Sequence, residues 1–185
     1  MRLRAVLVDL DGTLVESDDA NASAYAEALG EFGVLVEAAD VAPRIRGRSW
    51  RDFLPELIGA GSGVDPAAVA RRKQALYPGH FGLLRLNQGL VDLVASLRGR
   101  FAVALVTTAS RRSAEPLLAH FALNGVFDTL VFGDDVTRLK PDPEAYHLAA
   151  SRMQVAPGEC IVIEDSDVGV AAARAFGGGL LRWSG

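Results

Sequence analysis

A chain of 185 residues, half of them hydrophobic, is long enough to bury a proper core as one domain, or as one domain carrying a smaller insertion. No apolar run reaches the length of a membrane span, and a net charge of −4 with no basic tract beyond a short arginine cluster speaks against nucleic-acid binding. The single cysteine excludes an internal disulfide, and Asp9 and Asp11 interrupt the basic opening Met1-Arg2-Leu3-Arg4 too early for a secretory signal, so a cytoplasmic protein is expected.

In chain order, the first predicted element is the apolar run Ala5-Val6-Leu7-Val8, read as a short buried strand and followed directly by Asp9-Leu10-Asp11-Gly12-Thr13. Two acids one residue apart point to the same side while the chain stays extended, and Gly12 lets the backbone turn sharply beneath them. The carboxyl edge of an open parallel sheet is where ligands bind. A carboxylate pair there suits a magnesium ion shared with phosphate oxygens, although Asp-Gly is also an ordinary turn signal.

Residues 16–85 then break the alternation of strands and helices and read as an inserted helical cap. Helical spacing runs from Asp18 to Phe32 and from Trp50 to Ile58, and Asp65-Pro66 opens a third helix towards Leu76. The linkers fall near Val15 to Ser17 and near Pro78 to Gln88, and a bundle on two linkers can close over the strand ends and exclude water. Arg44, Arg46, Arg48 and Arg51 cluster around Gly47 without an intervening acid. Two readings stay open for them: a loop that contacts the leaving group of a substrate, or a solvated turn between helices. Arg71-Arg72-Lys73 is a solvated helix face by default.

Past the insertion, Phe101 to Val106 reads as a strand ending in Thr107-Thr108, with a helix from Ser113 to Phe121. A third strand, Thr129 to Phe132, leads to Gly133-Asp134-Asp135 and then to Lys140-Pro141-Asp142-Pro143, with a helix from Pro143 to Met153. A fourth, Cys160 to Ile163, ends in Glu164-Asp165 before a helix from Ser166 to Phe176, and Leu180 to Trp183 closes the series. The alternation predicts a doubly wound parallel α/β sheet, a Rossmann-like core built from residues 1–15 and 86–185; the core strands are expected in the order 3-2-1-4-5. Each polar group has a plain reading as well: Lys140 as a solvated loop residue, the threonines as turn residues, Glu-Asp-Ser as a helix start. The plain readings do not explain why such groups recur at four strand ends.

The segments VDLDGTLVES, the Thr107 region, LKPDP and IEDSDVGVAAARAFG, in this order and spacing, resemble the haloacid dehalogenase superfamily from about Arg4 to about Trp183, in the branch of phosphoglycolate phosphatase and β-phosphoglucomutase. The founding dehalogenases lack the second acid of the first segment, so Asp11 argues for phosphate chemistry. Phosphoryl transfer needs a nucleophile, neutralisation of the phosphate oxygens and a proton for the leaving group. Asp9 is the candidate nucleophile and Asp11 the acid and then base. Thr107 with the Thr108 amide would hold a phosphate oxygen, and Lys140 would balance the charge around Asp9. Asp9, Asp165 and, by resemblance, the Asp11 carbonyl would bind magnesium, with Glu164 acting directly or through a water.

In the cap, Lys73 lies in Arg-Lys-x-x-x-Tyr, which resembles a segment whose lysine reaches the active site. Arg48 and Arg51 flank the position where the mutase subgroup has an arginine and this chain has Trp50, and Asn21 stands where that subgroup has a histidine. Relatives continue through a further turn and helix beyond Trp183, which implies lower stability or self-association here, as a monomer or weak homodimer. The expected activity is therefore a magnesium-dependent phosphatase acting on a small-molecule phosphomonoester, without nucleic-acid or membrane partners. The alternatives are a β-phosphoglucomutase-like sugar phosphomutase and a catalytically idle binding protein on the same scaffold.

Overall fold

The computed structural model describes residues 2–45 and 48–184. Strand β1 (Ala5–Val8) is buried at every position, as an all-apolar strand flanked by parallel neighbours must be. Two-residue strands β2 (Val15–Glu16) and β3 (Arg85–Leu86) pair as a small ribbon. Between them come helices α1 (Asp18–Glu31), α2 (Ala38–Ile45), α3 (Trp50–Ile58) and α4 (Pro66–Leu76). The chain divides into two compact units, Ser17–Arg85 and the remainder, Met1–Glu16 with Leu86–Gly185.

The helical unit packs around Ala28, Leu29, Phe53, Leu54 and Val69. Ser49 caps α3 by accepting from the Arg51 amide, and Asp65 caps α4 ahead of Pro66 in its first turn. Helix α2, which carries Pro43 inside it, is not among the helices expected from the sequence. The Pro- and Gly-bearing stretch read as a linker is wound into a 3-10 segment over Tyr77–Leu83.

In the larger unit, α5 (Gln88–Leu97) leads to β4 (Ala102–Val106), α6 (Arg111–His120), β5 (Thr129–Val131), α7 (Glu144–Arg152), β6 (Cys160–Glu164), α8 (Asp167–Phe176) and β7 (Gly179–Arg182). Helix α5 also went unforeseen. Its signals are the Asn87 side chain, which accepts from the Leu90 amide, and the buried face of Leu90, Val91 and Val94, partly disguised by Gly89 in its first turn. Among the described residues the main sheet has five strands in the order β5-β4-β1-β6-β7, all parallel. With β2 and β3 set aside, this is the expected 3-2-1-4-5. Val8 is in register with Leu105 and with Ile163, so the chain leaves β1, β4 and β6 along one carboxyl edge. No helix among the described residues is long and apolar enough to cross a membrane.

Candidate active site

The site begins where β1 ends. The Asp9 amide donates to the Ile163 carbonyl at 3.0 Å, which fixes the acid against the end of β6 and leaves it only 6 % exposed. Two residues on, the chain reverses: the Gly12 amide donates to the Val15 carbonyl at 2.8 Å, with Gly12 at φ +85°. A Cβ on Gly12 would overlap the Asp165 carboxylate, so glycine here allows both the turn and the close approach of Asp165. Thr13 completes this junction by donating from Oγ1 to Asp165 Oδ1 at 2.9 Å.

Lys140 arrives from the loop before α7 and uses all three ammonium protons. Its Nζ donates to Asp9 Oδ1 at 2.7 Å, to Glu164 Oε2 at 2.7 Å and to the Val106 carbonyl at 3.0 Å. At the end of β4, Thr107 accepts from the Ala109 amide at 3.0 Å and donates to Asp11 Oδ2 at 3.4 Å. Thr108 is exposed on the same loop. The next strand end supports this loop: the Gly133 amide donates to the Ala109 carbonyl at 2.9 Å, and a Cβ on Gly133 would overlap the Thr108 carbonyl.

Burial pushes the Asp9 carboxyl well above the usual range, against the opposing pull of Lys140. Burial likewise raises Asp165, opposed by its Thr13 hydrogen bond. Glu164 is also buried, but the charge of Lys140 and hydrogen bonds from Lys140, Ser166 and Tyr146 outweigh that and hold it low. Lys140 stays protonated, since the facing acids outweigh the burial that would discharge it. Asp9, Glu164 and Asp165 each offer an oxygen within 4.8 Å of the others. Three acids facing one lysine leave an excess of negative charge in a confined space. Among them, the oxygens of Asp9 and Asp165 are of the kind that fits a hard divalent cation.

Asp9, Lys140, Glu164 and Asp165 thus come together, with Asp11 and Thr107 linked beside them. Thr13 and Tyr146 join them without having been singled out in the sequence. Thr13 lies inside the first quoted segment but has no distinctive spacing, and Tyr146 looks like any apolar position of α7.

The cap candidates are described within the helical unit. Lys73 does not share the exposed face of Arg71 and Arg72: it is 5 % exposed, because helical spacing aligns it with Val69 and Ala70. Its Nζ donates to Asn21 Oδ1 at 2.5 Å and lies 3.8 Å from the Tyr77 ring centroid. Arg48 pairs with Glu56 at 2.5 Å, Arg51 lies over the Trp50 ring at 4.4 Å, and Arg44 donates to the Asp40 carbonyl. Arg46 and Gly47, expected at the centre of the arginine cluster, lie outside the described residues.

A parallel sheet with acids and one lysine gathered at its carboxyl edge suits phosphoryl-transfer chemistry. The profile of the haloacid dehalogenase-like hydrolases matches residues 3–177, and the chain belongs to that family. Fructose-1-phosphate phosphatase YqaB of Escherichia coli strain K12 is 34 % identical over 176 residues, covering 95 % of this chain and 94 % of the relative. The phosphorylated carbohydrates phosphatase of Thermotoga maritima is 33 % identical over 181 residues, covering 95 % and 82 %. CbbY from Rhodobacter sphaeroides, solved in complex with phosphate, matches with a TM-score of 0.87 at 26 % identity, covering 99 % of this chain and 87 % of that one. The chain is a phosphomonoester hydrolase of this family.

Proposed function

We propose that the chain is a magnesium-dependent phosphatase that hydrolyses a small phosphorylated carbohydrate through an aspartyl-phosphate on Asp9. The observation that carries the reading is the buried contact of Lys140 with Asp9 at 2.7 Å, set within the three-acid cluster. The substrate class is supported by the fructose-1-phosphate and phosphorylated-carbohydrate phosphatases to which the chain is similar.

An Asp9 carboxylate oxygen forms a bond to phosphorus as the ester P–O bond breaks, and Asp11 gives its proton to the departing alkoxide. Asp11 then takes a proton from water as that water attacks phosphorus, which frees Asp9 and releases inorganic phosphate. Thr107, the Thr108 amide and Lys140 hold the phosphate oxygens and balance their charge. Asp9, Asp165 and the Asp11 carbonyl would hold magnesium, which when bound would supply the remaining neutralisation.

Water is the acceptor rather than a second sugar hydroxyl, since Asn21 and Trp50 replace two groups of the mutase subgroup. The test is a screen of sugar phosphates with magnesium. Phosphate should be released from one or more of them, and β-glucose 1-phosphate with a trace of bisphosphate should yield little glucose 6-phosphate. Asp9→Asn should abolish release while the fold persists. Full turnover in excess chelator would remove the metal, and efficient isomerisation without free phosphate would remove the phosphatase.

A further inference from the structure

Glu164 is 1 % exposed, and its carboxylate is fully occupied by protein donors. Oε2 accepts from Lys140 Nζ at 2.7 Å and from the Tyr146 hydroxyl at 2.8 Å. Oε1 accepts from the Ser166 amide at 3.1 Å and the Ser166 hydroxyl at 2.8 Å. A carboxylate has about four lone-pair positions, and all four are in use. The backbone of α8 also presses on this group, because a Cβ on Gly169 would overlap the Glu164 carboxylate. A side chain clamped in this way from three directions is poorly placed to turn towards a cation. It is well placed to hold something else still.

What it holds is Lys140. We infer that Glu164 is a support for Lys140 rather than a metal ligand, and that Tyr146 is a positioning residue that fixes Glu164 and, through it, the contact of Lys140 with Asp9. Tyr146 is fully buried on α7, its ring packs 5.8 Å from Phe176, and the Lys140 ammonium lies 5.0 Å from its ring centroid. The ring therefore walls one side of the lysine while the hydroxyl orients the acid on another. Without the hydroxyl, Glu164 Oε2 loses one of two fixed donors and can rotate, and Lys140 loses the counter-charge that aims it at Asp9. The inference rests on the phosphatase reading for its kinetic consequences and on geometry alone for its structural one.

The test compares wild type, Tyr146→Phe, Glu164→Gln and the double variant, with p-nitrophenyl phosphate and magnesium as the kinetic probe. Phenylalanine keeps the ring and its packing and removes only the hydroxyl. Tyr146→Phe should lower kcat about tenfold, the scale of one hydrogen bond to a charged group, while KM stays within about twofold. Binding of beryllium trifluoride with magnesium, a mimic of a phosphorylated carboxylate, should weaken by a similar factor. In the Glu164→Gln background, the further loss from Tyr146→Phe should fall below about twofold, because the neutral amide no longer supplies the counter-charge through which Tyr146 acts on Lys140. Equal losses in both backgrounds, or a Tyr146→Phe enzyme with unchanged kcat and unchanged trifluoride binding, would overturn the inference. A wild type that releases no phosphate would overturn the phosphatase reading instead. In that event the crystal structure of Tyr146→Phe decides separately: the inference requires the contact of Lys140 with Glu164 to open beyond hydrogen-bond distance, and an unchanged contact sinks it.

Discussion

At the scale of single residues, two glycines separate what backbone geometry does for stability from what it does for chemistry. Gly177 ends α8 at φ +83° with open space where a Cβ would go, whereas Gly12 has a similar φ but faces the Asp165 carboxylate. Both Ala variants should lose roughly 1–2 kcal/mol of stability from the left-handed backbone. Only Gly12→Ala should also lose turnover, measured at matched folded fraction, because it must displace Asp165. Comparable activity in the two variants would refute the role given to that close approach. Asp11 has its own signature. Asp11→Asn should slow alkyl phosphates by ~10²–10⁴-fold and an activated aryl phosphate far less, since the aryl leaving group needs little protonation. Equal losses on both would remove Asp11 as the acid.

At the scale of elements, α7 is tied to the loop before it through Glu144. Its carboxylate accepts from the Thr137 amide and hydroxyl and from Arg138, chiefly the Thr137 contacts, and these lower its pKa to about 2. An acid with an unfolded pKa near ~4.3 and a folded value below it stabilises the fold above that pH and loses the contribution as pH falls towards the folded value. Glu144→Gln should therefore lower the urea midpoint at pH 6, and the gap to wild type should close as the pH falls through 4.3 towards 2. A gap independent of pH would show that the carboxylate charge is not what holds the loop. Elements also mark the limit of what was legible in the sequence. The five core strands announce themselves as apolar runs, and their parallel direction follows from the helices between them. Helices α2 and α5 are short, and α2 buries only Val41, so neither offers a long apolar stripe; an internal proline is not the reason, since α3 and α6 carry Pro55 and Pro116 and were still legible. The burial of Lys73 was hidden too: its neighbours Arg71 and Arg72 suggest a wet face, and only the packing of Val69 and Ala70 turns it inward. Tyr146 gave no sign, because a hydroxyl that meets Glu164 depends on how α7 lies on β6.

At the scale of the whole molecule, the acid cluster costs stability that a bound cation would return. Magnesium at about 100 times its dissociation constant should stabilise the fold by ~2.7 kcal/mol, which for a chain of this size raises the thermal midpoint by roughly 5–10 °C. Asp165→Asn should lose most of that rise. A midpoint insensitive to magnesium would argue against a site among these acids. The central place of β1 has one more consequence, for the nascent chain. This strand is synthesised before both of its neighbours: β4 and β6 are made about a hundred and more than a hundred and fifty residues later, and Asp9 meets Lys140 across 131 positions. A fully apolar strand must wait on the ribosome without either partner, with the whole helical unit emerging in between. Such a topology is slow to close and exposes a sticky edge while it waits. The order that makes the site compact thus makes its synthesis a period of vulnerability, and yield in a cell should depend on chaperones that shield β1 until its neighbours emerge.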